Sequence, residues 1–224
     1  MVPLRFFKDG RIEELYSTDD FTQSITDLCD RHRQENRALA FAFILYDFTN
    51  PQIRRILEDN IYWDALNTIS GHYLSIYYIH SSGKTFAGDL KDVSSCEQRG
   101  MYKFGTTNNM DAILPILKRS LALVDDVNLP SVLFFQVEDG LVIDHFLVEL
   151  IEEKFEESYK ELENNISAAV RSLARIAPEN YDNTDCIFEC LRREIKNTKI
   201  RNVLKDPNKF PLSFLLKWVI SKID

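Results

Sequence analysis

The chain has 224 residues, 45% of them hydrophobic and 12% aromatic, so it can bury a core without disulfides and is not expected to be disordered. Its 27 basic and 35 acidic side chains give a formal net charge of -8, which argues against a protein that coats nucleic acid or an anionic membrane. No stretch approaches the roughly 20 apolar residues of a membrane span, no secretory signal is recognised, and the four cysteines are scattered, so we expect a cytoplasmic protein with no membrane contact.

The first eighty residues predict a hairpin, a helix and a strand–helix–strand unit. Residues 2–16 predict two short strands about an Asp-Gly turn, and residues 19–34 predict an amphipathic helix. The apolar run 38–46 is typical of a central strand with both faces covered. Asn50 and Pro51 predict the start of a helix that reaches Gly71 with Ile61 on its apolar side, and Asn50 is expected to cap the free amides. Residues 73–80 then predict a strand parallel to the first.

The rest of the chain predicts a loop, a second hairpin and several helices. Residues 81–108 hold four of the seven glycines and predict a long loop or irregular insertion. A helix is expected from Asn108 or Asn109 to Leu121, and Glu138-Asp139-Gly140 predicts a tight turn between antiparallel strands at 131–137 and 141–147. Apolar spacing predicts further helices at 148–176, 184–205 and 211–223. We therefore expect an α/β domain at 1–165 with an insertion at 81–108, and a helical C-terminal extension at 166–224 that packs on it.

The order of these elements resembles the thioredoxin-like fold over roughly residues 36–165. Family members carry Trp-Cys-Gly-Pro-Cys where the first core strand meets its helix, and this chain has Phe48-Thr49-Asn50-Pro51-Gln52 there. The segment Leu129-Pro130-Ser131 resembles the one with the family's cis proline, which precedes the third core strand and faces the active site. The resemblance implies a mixed sheet flanked by helices and a cis bond at Pro130.

The missing cysteines argue against thiol–disulfide chemistry, which needs a thiolate nucleophile. Neither Thr49 nor Gln52 supplies one, and no histidine lies near Thr49 in sequence to activate its hydroxyl. Our leading hypothesis is a redox-inactive thioredoxin-like protein without catalytic residues, metal ion or cofactor, which binds a protein partner as a scaffold or accessory subunit. The residues expected to form the binding surface, to which an extended peptide could add, are Phe48, Thr49, Asn50, Pro51, Gln52, Leu129 and Pro130.

The cysteines that the chain does contain predict no disulfide or metal site. Cys186 and Cys190 lie four residues apart on a predicted helix, where the Cβ atoms are about 5–6 Å apart and cannot be bridged. We expect them to be small buried apolar side chains. Cys96, within the insertion, is the cysteine expected to be exposed.

Two charged segments leave an alternative function open. Residues 138–163 hold ten carboxylates against two lysines, and residues 192–209 hold seven basic side chains against two carboxylates. Each segment can form a solvated face, the two can pack together, or the basic helix can contact a polyanion. A nucleic-acid-associated protein would use the basic residues Arg192, Arg193, Lys196, Lys199 and Arg201.

A second alternative is an enzyme that does not carry out redox chemistry. Asp47 and Asp126 follow or precede predicted strands, where a carboxylate can act as a base or bind a cation. The insertion at 81–108 would complete such a site. Carboxylates in these positions also serve as turn and capping residues.

Overall fold

A computed structural model describes residues 4–8, 11–15, 18–81, 101–106, 127–138, 141–150 and 154–205, together with residues 114, 115, 117–119, 121 and 123. The strands are β1 Leu4–Lys8, β2 Arg11–Leu15, β3 Phe41–Leu45, β4 Ser75–Ser81, β5 Met101–Thr106, β6 Ser131–Glu138 and β7 Leu141–Glu149. The helices are α1 Thr18–Gln34, α2 Pro51–Glu58, α3 Asn60–Ser70, α4 Phe155–Leu173 and α5 Thr184–Lys205. A short 3-10 turn lies at Pro178–Asn180.

The strands form one mixed sheet in the order β2-β1-β5-β4-β3-β6-β7. β3 pairs in parallel with β4, and β4 pairs in parallel with β5. The remaining pairs are antiparallel, including β3 with β6 and β6 with β7. The expected α/β fold with a mixed sheet flanked by helices is confirmed.

Helices cover both faces of the sheet because side chains of successive strand residues point to opposite sides. In β3, Ala42 and Ile44 belong to one core cluster, which also contains buried residues of α2, α3, α4 and α5. Phe41 and Phe43 belong to the other cluster, which α1 joins through Cys29. The whole of β3 is buried, as predicted for a central strand.

The single helix predicted for residues 51–71 is wrong, because the structure has two helices separated at Asp59. The Asp59 backbone is extended (φ -83°, ψ 117°), and its carboxylate accepts a hydrogen bond from the Ile61 N–H at 2.9 Å, which caps α3. The break changes the direction in which the next residues point. Ile61 is therefore 77% exposed rather than part of the apolar side.

Two further boundaries are corrected. Residues 101–106 of the predicted insertion form β5, whose backbone continues the parallel ladder beyond β4, while residues 82–100 lie outside the described part of the chain. The helix predicted from residue 148 begins at Phe155, because β7 continues to Glu149 beside β6. Leu150, expected on the helix, is buried after β7 and donates its N–H to the Pro130 carbonyl at 2.9 Å.

Other expected elements are confirmed: the strands of both hairpins, helix α1, helix α5 over residues 184–205, and helical backbone at 114–115 and 117–119. The helix predicted at 211–223 lies outside the described residues. The expected domain boundary at residue 165 falls within α4, and α5 adds Ile187, Phe188 and Leu191 to the same core cluster as the sheet. Among the described helices, none has the length and apolarity to cross a membrane.

Candidate functional site

The first segment of the predicted binding surface follows β3 directly. Tyr46 is buried at the end of the strand, and the half-buried ring of Phe48 meets it edge-on with centroids 5.6 Å apart. Phe48 packs against both core clusters, so its backbone is held at the boundary between them. Thr49 and Pro51 beyond it are exposed, whereas Gln52 is half-buried.

A compact turn positions Thr49. The Asn50 N–H donates to the Asp47 carbonyl at 2.8 Å, and the Asp47 N–H donates to Asn50 Oδ1 at 2.7 Å. The Thr49 N–H donates to Asp47 Oδ1 at 3.0 Å. Asn50 occupies the N-cap position of α2, but its side chain makes no capping hydrogen bond, so the expected role of its amide is wrong. The side chain closes the turn instead, while Pro51 begins the helix as predicted.

The second segment lies at the same end of the neighbouring strand. Leu45 is paired with Ser131 in the antiparallel β3–β6 ladder. The residues that follow β3 and those that precede β6 therefore leave the sheet at the same end of these two strands. The Leu129–Pro130 peptide bond is cis. Pro130 is buried, and the half-buried Leu129 packs on the same cluster as α1.

Hydrogen bonds attach the segment before β6 to the end of β7. Asn128 Nδ2 donates to Glu149 Oε1 at 2.7 Å, and the Ser131 hydroxyl donates to the Asn128 carbonyl. Together with the bond from Leu150 to Pro130, these contacts fix the backbone on both sides of Leu129. The structure thus brings the two predicted segments to the same end of β3 and β6, where hydrogen bonds hold their backbones. Their role in binding stays a prediction.

Two of the five predicted basic residues contact the predicted acidic segment in the structure. Arg192 Nη2 lies 3.1 Å from Asp144 Oδ1, and its guanidinium carbon lies over the ring of Phe188 at 5.0 Å. Lys199 Nζ donates to the Glu149 carbonyl at 3.0 Å. Both cations therefore contact the predicted acidic segment, which is the alternative in which the two segments pack together. The remaining three, Arg193, Lys196 and Arg201, are exposed.

Of the two carboxylates of the enzyme alternative, Asp47 lies in the described part of the chain. Asp47 holds the turn before α2 through its bond to the Thr49 amide, which is a structural role. Asp126 and residues 82–100 lie outside the described ranges. No cluster of three or more potential metal ligands occurs in the part of the chain that the structure describes.

The surroundings of Cys29 and Cys186 disfavour a reactive thiolate. Cys29 is buried, and desolvation, against the opposing charge of Arg33, raises the pKa of its thiol to about 11. Cys186 and Cys190 are free and half-buried, which corrects the expectation that both are fully buried. Desolvation and the neighbouring Cys190 raise the pKa of Cys186. Cys96 lies outside the described residues.

A buried polar network at the opposite end of β3 and β4 was missed from the sequence. His32 is fully buried, with Nδ1 2.8 Å from the Ala38 carbonyl and Nε2 2.7 Å from Ser75 Oγ. Because a carbonyl only accepts, Nδ1 carries the proton, and Nε2 accepts from the serine hydroxyl. Arg37 Nη2 donates to the same Ser75 oxygen at 3.1 Å.

The network is a structural element and not a nucleophile–base pair. Ser75 is fully buried, and its oxygen already accepts from Arg37, so no substrate reaches it. Arg37 is itself held by the His72 carbonyl at 2.7 Å and by Glu35 at 3.0 Å. The available signal was the position of His32 three residues after Cys29 on the apolar side of α1, which is where a buried histidine would be expected.

No family model, curated protein or solved structure matches this chain. The function is therefore inferred from the residues and the geometry described above.

Proposed function

We propose that this chain is a redox-inactive thioredoxin-like protein that binds extended segments of other proteins and acts as a scaffold or accessory subunit. The observation that carries the proposal is the arrangement of four strands, β4-β3-β6-β7, with β3 and β4 parallel and β6 and β7 antiparallel to their neighbours. Helices follow β3 and β7, in the order that the sequence resemblance implies. This arrangement supports the thioredoxin-like fold over residues 36–165.

The side chains at this end of β3 and β6 support binding rather than disulfide exchange. Where the resemblance implies two cysteines, the chain has Thr49 and Gln52, which cannot form or cleave a disulfide. The described thiols with raised pKa values, Cys29 and Cys186, remain protonated at neutral pH and lie in α1 and α5, on other elements. In the described part of the chain, the neighbouring carboxylate of Asp47 accepts from the Thr49 amide, and a hydroxyl nucleophile would need a base to activate it.

The proposed ligand is an extended peptide segment that lies across Thr49 and the backbone at Leu129. Such a segment gains affinity from main-chain hydrogen bonds and from side chains that enter pockets on alternate sides. The backbone there is fixed on both sides by the Asn128 and Leu150 contacts, so binding would order little of the protein itself. Thr49 and Pro51 supply the exposed surface next to it.

The affinity for a permanently unfolded, carboxymethylated protein tests this proposal, since that probe offers many extended segments and no thiols. Thr49→Arg places a long charged side chain on the surface and is expected to weaken binding at least ten-fold. The matched control is Thr68→Arg, at an exposed threonine in α3. Equal affinities of the two variants, or disulfide reduction at enzyme-like rates by the wild type, would contradict the proposal.

The two alternatives stay predictions with narrower support. Nucleic-acid binding would depend on Arg193, Lys196 and Arg201, since Arg192 and Lys199 have partners within the fold. Its test is the salt dependence of binding to a single-stranded oligonucleotide, because neutralised phosphates release counterions. The enzyme alternative retains only Asp47 among its described residues, where the carboxylate has a structural role.

A further inference from the structure

β7 is the last strand of the described sheet, and side chains form hydrogen bonds with backbone N–H and carbonyl groups along its outer edge. An unpaired strand edge is a template for another strand, and proteins commonly cover it. The His145 N–H donates to Asp144 Oδ1 at 2.7 Å, and the His145 carbonyl accepts from Arg192 Nη2 at 3.4 Å. The Glu149 carbonyl accepts from Lys199 Nζ. Since residues four apart in a strand direct their backbone groups to the same side, these bonds cover one edge.

Helix α5 supplies both cations because it runs along β7 in the same direction. Arg192 meets the strand at His145, and Lys199 meets it at Glu149. The first half of the helix is fastened by apolar contacts, among them Phe188, whose ring lies 5.0 Å from that of Phe146. The Arg192 and Lys199 side chains therefore reach two backbone carbonyls on the edge where a neighbouring strand would pair.

Polar groups with incomplete compensation follow the buried apolar residues in the described side chains of α5, those of residues 184–201. The last buried apolar side chain among them is Ile195, and Thr198 is the buried residue among 196–201. The Thr198 hydroxyl has no hydrogen-bond partner in the described part of the chain. Desolvation lowers the pKa of Lys199 against the opposing charges of Glu161 and Glu149, so its burial carries a cost. Buried polar groups of this kind favour local opening.

The edge also indicates the chemistry of its partner. Leu141 and Ile143, at the beginning of β7, are 67% and 45% exposed. Asp144 and the Glu149 carbonyl each receive a cation from α5. An added strand can satisfy the Glu149 carbonyl with its own N–H, whereas the Asp144 carboxylate favours a basic side chain. A matching segment therefore carries basic side chains as well as apolar ones. A second copy of this chain fits poorly, because its net charge is -8 and its β7 would bring the same carboxylates to the contact.

We propose that the outer edge of β7 is a second protein-binding surface, covered by the Arg192 and Lys199 side chains of α5, to which an extended partner segment of alternating apolar and basic residues adds as a strand. Opening moves Lys199 away from the Glu149 carbonyl and leaves both groups to the partner or to water. This surface uses the outer backbone groups of β7, whereas the one proposed at Pro130 uses the backbone at Leu129. Glu149 contacts both, through its carbonyl at β7 and its side chain at Asn128.

The test compares two double variants that remove the same charge. Arg192→Ala/Lys199→Ala removes the cations that cover the edge, and Arg193→Ala/Arg201→Ala removes two exposed cations of the same helix. The probe is a labelled nine-residue peptide of alternating valine and lysine, measured by fluorescence anisotropy at fixed salt, with a valine–glutamate peptide as its control. The first variant is expected to bind the lysine peptide at least ten-fold more tightly than the wild type and the second variant do.

Several results would overturn the proposal: equal affinities of the two double variants, equal binding of the glutamate peptide, or a dimer of the first variant that does not bind the peptide. Circular dichroism and light scattering establish whether each variant is folded and monomeric. If the first variant does not fold, Lys199→Met, which keeps an apolar stem of similar length, takes its place. Its affinity is then expected to rise several-fold, and an affinity equal to that of the wild type would refute the covered edge.

Discussion

Acidification below pH 6.5 is expected to destabilise the protein because His32 is buried without charge. Its Nδ1–H donates to the Ala38 carbonyl and its Nε2 accepts from Ser75, so a second proton on the ring would remove the acceptor. Desolvation, and after it the charge of Arg37, lowers the pKa of His32 to about 3. The unfolded chain has no such environment, and its histidine titrates near 6.5.

The sign and size follow from the linkage between protons and folding. Above pH 6.5 both states hold a neutral ring, and the stability is fully present. Between pH 6.5 and about 3 the unfolded state binds one more proton at this position, so stability falls as the pH falls. Each pH unit within this window costs about 1.4 kcal/mol, which gives a loss of about 2 kcal/mol between pH 7.5 and pH 5.

Urea denaturation at several pH values between 7.5 and 5 measures this loss. The comparison is with His32→Gln, which replaces the imidazole with a polar amide that does not titrate. The stability advantage of the wild type over the variant should shrink by about 2 kcal/mol on going from pH 7.5 to pH 5. The other three histidines are the same in both proteins, so their contributions cancel in the difference. A difference that does not change with pH would refute the assignment of a neutral buried ring.

Four other substitutions test the fold and the absence of redox chemistry. Asp59→Ala removes the cap on the Ile61 amide and should lower the free energy of unfolding by about 1 kcal/mol; no change in the thermal midpoint would contradict the cap. Ile61→Ser should alter stability by less than about 0.5 kcal/mol because the side chain is exposed, whereas Leu66→Ala should cost about 2–5 kcal/mol in chemical denaturation. The opposite ranking would place Ile61 in the core. Cys29→Ala, which avoids a buried hydroxyl, should leave binding of the unfolded probe unchanged, and a loss of binding with the fold intact would implicate the thiol.

The pattern of apolar residues was sufficient to predict the elements whose burial follows directly from that pattern. The run around β3 is apolar at every position because both faces are covered, and this is visible in the sequence. Helix α5 has the predicted bounds, 184–205, because apolar residues recur at helical spacing along its first half. The position of Thr49 and Leu129 at the same end of two neighbouring strands also followed from the order of the strands, once their pairing was assumed.

The remaining features depend on contacts that a single sequence does not display. Asp59 ends one helix and caps the next through a single hydrogen bond, within a segment whose apolar spacing continues past it. β5 lies in a glycine-rich segment, and its strand character comes from pairing with β4. The His32 network joins α1 to the start of β4 across 43 residues. Propensity arguments are local, so tertiary pairing decided each of these cases.

Amide chemical-shift mapping with the unfolded, carboxymethylated probe tests the central claim most directly. Isotope-labelled protein is titrated with the probe, and perturbed amides are located in the structure. Peptide binding at the proposed surface predicts that the largest changes fall at Phe48–Gln52, except for Pro51, which has no amide, and at Leu129 and Ser131. Saturable changes confined to other elements, or no changes at any concentration, would contradict the account.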